Sequence, residues 1–455
     1  MNKTLLDSEH ILKIEKIVYG GHGLAREGNK TFLISHVAPN ELIKANFKYR
    51  SKGINWAKLE EIIEPNSEIR INPLCEHVGL CGGCVFQHLN YESQIQTKEN
   101  ILKEIYDYSI ELEQSLISPQ QFNYRNKCEL TFGNNPDTGL LELGFHPAGK
   151  FFEVLNIKKC HLLPALMWNI LQEIQNLTSH SSLKAYQDLK DQGFWSTVTI
   201  RQSSSSNEVL IIFKVNDKEE NKAELMKLSE QLLNKFPEVK GILLRPAPRG
   251  KLQILFGRDT LSQKLGSDFE LIYQAENFFQ INTFILPAFL DLLVSEIKNL
   301  NIDFDVIYDL FAGVGALGLY SAFKLPNIKK FVGAESDEIA CKIASLNAEL
   351  NNLNNYQSHH IDLYKRGWGQ RLAENNKNIC AIIDPPRAGL SQKTLKDLID
   401  LRAKNIIYIS CNPTTQRRDI KLLEEANYKL KSLRLIDMFP QTHHLESMAI
   451  LSNFD

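Results

Sequence analysis

Hydrophobic and polar positions along the 455-residue chain follow three successive rhythms. Over residues 11–65, apolar Ile14, Val18, Leu24, Phe32, Ile34 and Val37 recur in short runs broken by Gly20-Gly21-His22-Gly23, Gly28-Asn29 and Pro39-Asn40. Closely spaced strands with glycine turns predict a small β-barrel. Residues 91–114, with Tyr91, Ile95, Ile101, Leu102 and Ile105 on a rough helical period, predict a helix. From Tyr124 to about Asp259 the pattern is mixed, with strand-like runs at 128–132, 197–200, 209–213 and 242–245 and a hairpin loop at 203–207. After Gly257 strands and helices alternate. A helix is expected from about 283 to 299, then strands at 306–309, 331–335, 380–383 and 406–409, and a final apolar strand at 448–451. Such alternation is the mark of a doubly wound parallel sheet.

These shifts divide the chain at 1–66, 67–265 and 266–455, with Glu64-Pro65-Asn66-Ser67 as a linker. The length exceeds one ordinary domain. A net charge of -2 carries no global nucleic-acid signature, so any basic surface must be local. One candidate lies between Leu42 and Leu59, where no acid occurs. Lys44, Lys48, Arg50 and Lys52 share one parity there, and Phe47 and Tyr49 take the other. On a strand this gives a basic face suited to a nucleic-acid backbone, or a solvated edge where lysines block aggregation. No run approaches the roughly 18 apolar residues of a membrane span. The first residues lack the apolar core of a signal peptide, so a cytoplasmic protein with reduced thiols is expected. Nothing calls for a membrane, an obligate protein partner or an oligomer, and a monomer is expected. The eight cysteines are then candidates for metal ligation or catalysis before disulfides.

Three of them, Cys75, Cys81 and Cys84, have C-x5-C-x2-C spacing, with two glycines in the last gap. Glycine lets backbone approach closely and frees amides to point at sulfur. Thiolate ligation suits an iron–sulfur cluster or zinc. Spacing leaves Cys128 and Cys160 open as fourth ligand, and His77 or His88 would serve a zinc site. Farther on, Gly313, Gly315 and Gly318 fit G-x-G-x-x-G, and Glu335 lies 20 residues after Gly315, the spacing of an acid that binds ribose hydroxyls. Asp309 precedes that turn. Asp384-Pro385-Pro386-Arg387 ends another strand, with a helix N-cap as the plainer role for Asp384. Residues 406–409 deliver Ser410-Cys411-Asn412-Pro413 to a strand end, where ligands of parallel sheets bind. Cys411 there is either a small buried hydrophobe or a nucleophile. Glu446 enters the last strand, as a cap or as a base. A thiolate that adds to uracil C6 makes C5 a carbon nucleophile toward a sulfonium methyl, and a base must then take the C5 proton. Cys411 and Glu446 supply that pair.

In these motifs the chain resembles the RNA uracil-C5 methyltransferases that carry a TRAM domain and an iron–sulfur cluster, over essentially its full length. The resemblance implies an α/β architecture. A Rossmann-like S-adenosylmethionine-dependent methyltransferase domain at 266–455 follows a mixed α+β central domain with the cluster loop at 67–265 and an N-terminal OB-type (TRAM) RNA-binding barrel at 1–66. It implies a 4Fe–4S cluster on Cys75, Cys81, Cys84 and Cys160, choosing Cys160 over Cys128. It also implies S-adenosylmethionine contacts at Gln280, Phe311, Glu335, Asp362 and Asp384, with Cys411 as nucleophile and Glu446 as base. The implied partner is a flipped uridine of 23S ribosomal RNA. A tRNA uracil-C5 enzyme is the nearest alternative and an NAD-dependent iron–sulfur oxidoreductase a more distant one. Departures are Ala312 where a cysteine is common, Ala316 where an asparagine often stands, and Asp362 where some relatives use asparagine.

Overall fold

The structure, a computed structural model, describes residues 9–150, 152–216, 222–373 and 377–453. Strands β1 (Glu9–Val18), β2 (His22–Glu27), β3 (Lys30–Ser35), β4 (Leu42–Ser51) and β5 (Ile54–Glu64) close into a barrel in the order β1-β2-β3-β5-β4. Alternation places Leu12, Ile14, Phe32, Ile34 and Ile43 inside it, each at most 1% exposed. The small barrel expected over 11–65 is therefore present. Its basic stripe differs from expectation. Bulges at Lys44/Ala45 and Phe47/Tyr49 break the parity of β4. Lys44 is paired with Glu9 at 2.7 Å, and Tyr49 stacks on Trp56. Lys48, Arg50 and Lys52 are left exposed at the end of the β4–β5 hairpin.

Helix α1 (Tyr91–Ile105) starts at Asn90, whose side chain accepts the Ser93 amide at 2.9 Å. It does not run on to residue 114. Asp107 and Tyr108 take left-handed φ values of 55° and 52°, and the chain then forms β6 (Leu112–Leu116). A six-stranded sheet follows, built from β7 (Lys127–Asn134), β8 (Leu141–Gly144), β9 (Trp195–Gln202), β10 (Val209–Val215), β11 (Val239–Pro246) and β12 (Gln253–Gly257) in the order β12-β11-β10-β9-β7-β8. Helices α2 (Ala165–Thr178) and α3 (Lys222–Lys235) cover it. β13 (Thr260–Lys264) and β14 (Glu270–Gln274) form a separate hairpin, so the division expected at 265 falls between paired strands.

The C-terminal elements are α4 (Leu286–Asn299), β15 (Val306–Leu310), α5 (Ala316–Lys324), β16 (Phe331–Glu335), α6 (Glu338–Leu350), β17 (Tyr356–His360), α7 (Trp368–Ala373), β18 (Ile379–Ile383), α8 (Gln392–Asp400), β19 (Asn405–Ser410), α9 (Pro413–Glu424), β20 (Tyr428–Ile436) and β21 (Glu446–Asn453). Helix α4 begins three residues later than expected, with a proline in its first turn. The sheet order is β17-β16-β15-β18-β19-β21-β20-β6. The first five strands are parallel, whereas β21 runs antiparallel to both β19 and β20. β6 joins the far edge, parallel to β20, although it precedes the six-stranded sheet in the chain. The central strands β15, β18 and β19 read as near-continuous apolar runs because both faces are buried. Ile307, Ile382 and Ile407 face one core, and Tyr308, Ile383 and Tyr408 the other.

One buried ion pair ties α1 to the segment that feeds β21. Lys98 Nζ donates to Asp437 Oδ1 at 2.6 Å with both side chains 1% exposed, and Tyr91 donates to Asp437 Oδ2 at 2.7 Å. Lys98 also donates to the Phe439 carbonyl, while Gln94 and Gln441 exchange two hydrogen bonds. Removing one partner of such a pair leaves a buried charge uncompensated, at about 3–5 kcal/mol. Lys98→Ala should therefore lower unfolding free energy by about that much in urea titration, and the double change Lys98→Met with Asp437→Leu should lose less. Equal losses in the two variants would show that the charge pairing is not what holds this segment.

Candidate active site and thiol cluster

The carboxyl ends of β15, β16, β18 and β19 lie along one edge of the sheet, and the amino end of antiparallel β21 meets them there. Register does the rest. Ser410 on β19 pairs with Ser447 on β21, so one step outward Cys411 stands opposite Glu446. Directly opposed residues of an antiparallel pair project to the same face. Asp384 follows β18, the neighbour of β19 on its other side, and its amide donates to the Leu310 carbonyl at 3.4 Å. Three sequence candidates separated by 62 residues of chain, from Asp384 to Glu446, thus converge.

The turn after Cys411 is fixed by short-range bonds. Ser410 Oγ accepts the Asn412 amide at 3.1 Å, and Asn412 caps α9 by accepting the Thr414 amide, with Pro413 in the first turn. Asn412 Nδ2 donates to the Arg387 carbonyl at 3.0 Å, which joins the Cys411 turn to the Asp-Pro-Pro-Arg loop. Burial, then Glu446 and Asp384, push the Cys411 thiol up to about 11, while the charge and hydrogen bond of Arg387 favour the thiolate. Glu446 is 5% exposed, and burial followed by repulsion from Asp384 raises it well above the usual carboxyl range. Asp384 is raised by burial and by Asp309. His444 is pushed down to about 3 by burial, His443 and Arg387, and as a neutral ring it accepts from Arg387 at 3.4 Å.

The glycine turn sits beside this group. Phe311, Gly313 and Gly315 take left-handed φ values of 65°, 55° and 88° before α5 begins at Ala316. Gly318 approaches Asp309 so closely that a Cβ there would lie 2.8 Å from Asp309 Oδ2, the oxygen that accepts the Gly318 amide. Asp309 is 1% exposed, its other oxygen has no partner, and burial pushes it up to about 7. Glu335 closes β16 and accepts the Gly313 amide at 3.0 Å and the Asp337 amide at 2.9 Å. Gln280 is 8% exposed, and its carbonyl accepts from Asn126 at 2.8 Å. Phe311 packs edge-on to Tyr364. Asp362 lines a cavity of about 670 Å³ with Ser336, Tyr364 and Trp368, held below the usual carboxylate range by the Tyr364 amide and by Lys365. Glu335, Phe311 and Asp384 stand at adjacent strand ends, while Gln280 lies in the segment before α4.

All eight cysteines are free. Among the described residues no set of three or more His, Cys, Asp or Glu converges in metal-ligand geometry. Cys75, Cys81, Cys84, Cys128 and Cys160 nevertheless lie close enough to interact. Electrostatic interaction links Cys75 to Cys81 and Cys84 to both Cys81 and Cys160. Burial pushes Cys84 up to about 12 and raises Cys81 and Cys160, so these thiols need a cation to ionise. Amides already face the sulfurs: Gly83 toward Cys81, and Leu162 and Leu163 toward Cys160. Cys128 lies 7% exposed in β7, inside a hydrophobic core. His77 Nε2 accepts the Lys158 amide and His88 Nε2 bonds the Val37 carbonyl.

Several residues at this edge escaped the sequence reading. Lys98 had a signal, since it lies three residues past Ile95 and three before Ile101 on the apolar stripe of a helix, where a charge demands a partner. Arg387 was visible only as part of its motif. Tyr19 had no signal, because its partner is 393 residues away.

The tRNA (Uracil-5-)-methyltransferase family profile matches residues 90–454. An uncharacterized RNA methyltransferase of Clostridium acetobutylicum is 31% identical, covering 96% of each chain. One of Caldanaerobacter subterraneus is 29% identical, covering 97% of this chain and 98% of the relative. Among solved structures, the Pyrococcus abyssi tRNA (uracil-54, C5)-methyltransferase in complex with S-adenosyl-L-homocysteine superposes with a TM-score of 0.75 at 23% identity, covering 97% of this chain and 99% of that one.

Arg387 is the cation that favours the Cys411 thiolate. Arg387→Ala should slow alkylation of Cys411 by iodoacetamide at pH 8 by several-fold and move the rate profile to higher pH. Peptide mass spectrometry of Cys411 reads this out. An unchanged profile would remove Arg387 from the account of the thiol.

Proposed function

The chain belongs to the tRNA (uracil-5-)-methyltransferase family, and from that membership and the strand-edge geometry we propose that it methylates C5 of a uracil in 23S ribosomal RNA, giving 5-methyluridine. The observation that carries this reading is Cys411 opposite Glu446, beside Asp384 and the glycine turn. S-adenosyl-L-methionine, when bound, supplies an electrophilic methyl group. Gln280, Phe311, Glu335, Asp362 and Asp384 would hold it, with Glu335 taking the ribose hydroxyls. The unpartnered oxygen of buried Asp309 fits a site that expects a cationic ligand.

The chain's own residues carry the remaining steps. Cys411 adds to uracil C6, and the electron pair of the C5–C6 double bond makes C5 the nucleophile. C5 forms its bond to the methyl carbon as the sulfonium–methyl bond breaks, and that bond's electron pair stays on sulfur, which departs as a neutral thioether. Glu446 then takes the C5 proton, the double bond re-forms, and the thiolate leaves. A thiol raised to about 11 needs help to ionise, and Arg387 offers it. A carboxyl with a raised pKa is a stronger base once ionised, which suits removal of a carbon-bound proton. The uridine must leave its stack to reach this edge. Lys48, Arg50 and Lys52 on the barrel would contact RNA phosphates.

Cys75, Cys81, Cys84 and Cys160 would hold the 4Fe–4S cluster, whose amide-lined thiols support that ligand set. Neither methyl transfer nor proton removal needs an electron, so its role is structural or RNA-orienting. Protein purified without oxygen should contain about four iron and four sulfide per chain, Cys160→Ser should lose them, and Cys128→Ser should keep them. The reverse pattern would move the fourth ligand to Cys128.

The barrel and cysteine set favour rRNA through the resemblance to TRAM-bearing, iron–sulfur enzymes. A tRNA substrate is the second reading, favoured by the whole-chain likeness to the Pyrococcus abyssi protein. Mapping 5-methyluridine in both RNA classes with and without the gene separates them. Loss from 23S rRNA alone is expected; loss from tRNA alone would replace the rRNA reading.

A further inference from the structure

The barrel is docked into the catalytic half of the molecule. Ile17 and Ala38 lie in the same core as α1 and the C-terminal sheet, and Lys16 pairs with Glu104 of α1 at 2.6 Å. The β1–β2 turn, Tyr19-Gly20-Gly21, is pressed against the segment that leads to Glu446. Gly21 has φ +82°, and a Cβ on it would lie 2.9 Å from Val85 Cγ2 and 3.0 Å from His443 Cβ. Only glycine fits there, and the contact fixes where its neighbour Tyr19 points.

Tyr19 points at the nucleophile's turn. Its hydroxyl donates to Asn412 Oδ1 at 3.1 Å, the residue next to Cys411. The same amide oxygen accepts from the Thr414 amide and hydroxyl, and the amide nitrogen donates to the Arg387 carbonyl. A linked path therefore runs from the barrel hydroxyl through Asn412 to the loop bearing Arg387, whose side chain acts on the thiol. A phenol is a donor at neutral pH, and burial, with Cys411 close by, raises the Tyr19 hydroxyl further. Tyr19 is 41% exposed, so it stands at the surface beside the site rather than in the core.

We propose that the barrel completes the active site. Tyr19 is a positioning residue that holds the Asn412 amide, and through it the Arg387 and Cys411 loops, in the arrangement the thiol needs to attack. A barrel that served only to grip RNA would have no need of this bond. The inference rests on the methyl-transfer reading above.

The test uses Tyr19→Phe, which keeps the ring and its packing and removes only the hydroxyl. RNA carrying 5-fluorouridine gives the rate of covalent adduct formation at saturating protein; binding titrations give RNA affinity. Tyr19→Phe should slow adduct formation about tenfold, the effect expected for one lost hydrogen bond in a site, with RNA affinity unchanged. In an Asn412→Ala background the same change should add nothing, because the two side chains act as one unit. An adduct rate equal to wild type, or a loss confined to RNA affinity, or full additivity with Asn412→Ala, would overturn the proposal. If wild type itself forms no adduct, the reaction reading fails instead, which distinguishes the two.

Discussion

The pairing of antiparallel β21 between β19 and β20 is the constraint on which the site depends. In an all-parallel sheet every strand presents its carboxyl end to the ligand edge. Reversing one strand lets an amino end enter that edge, and the register then sets Glu446 against Cys411. Neither residue is held by a direct bond to the other. Their juxtaposition comes from the ladder, and the ladder is secured by the segment before it. Lys98, Tyr91, Gln94 and Tyr124 all bond to residues 437–441, so the entry to β21 is pinned from α1 and from the start of β7.

That arrangement is electrostatically expensive without ligands. Asp309, Asp384 and Glu446 lie at one buried edge with a thiol, and each raises the cost of ionising its neighbour. Arg387 is the cation that offsets the thiolate. A cationic ligand at the glycine turn would relieve the same repulsion, so charge complementarity and chemistry favour one occupant. Perturbed groups gathered at a strand edge are what a reactive site requires. Their pKa values are raised by burial before any partner is considered.

Much of this was legible in the chain. Four of the five parallel strands, the glycine turn and the strand-end motifs follow from local pattern, because buried strands and tight turns impose their residues directly; β17, Tyr-Gln-Ser-His-His, has no apolar run to reveal it. Ser-Cys-Asn-Pro encodes its own geometry: Asn412 caps and Pro413 starts the helix that turns the chain away from Cys411. What local pattern does not encode is pairing at a distance. β6 looked like the end of a helix because its fate depends on β20, more than 300 residues on. The single basic face on β4 failed because bulges are invisible to a parity count. Tyr19 reads as a turn residue until the barrel is docked.

In the proposed reaction Cys411 attacks the base and Glu446 removes the C5 proton. Its most direct test is Glu446→Gln with unmodified RNA and S-adenosyl-L-methionine, resolved by denaturing gel and peptide mass spectrometry. A covalent protein–RNA conjugate, joined at Cys411 and already carrying the methyl group, is expected to accumulate. Normal turnover by this variant, or a conjugate joined at another residue, would contradict it.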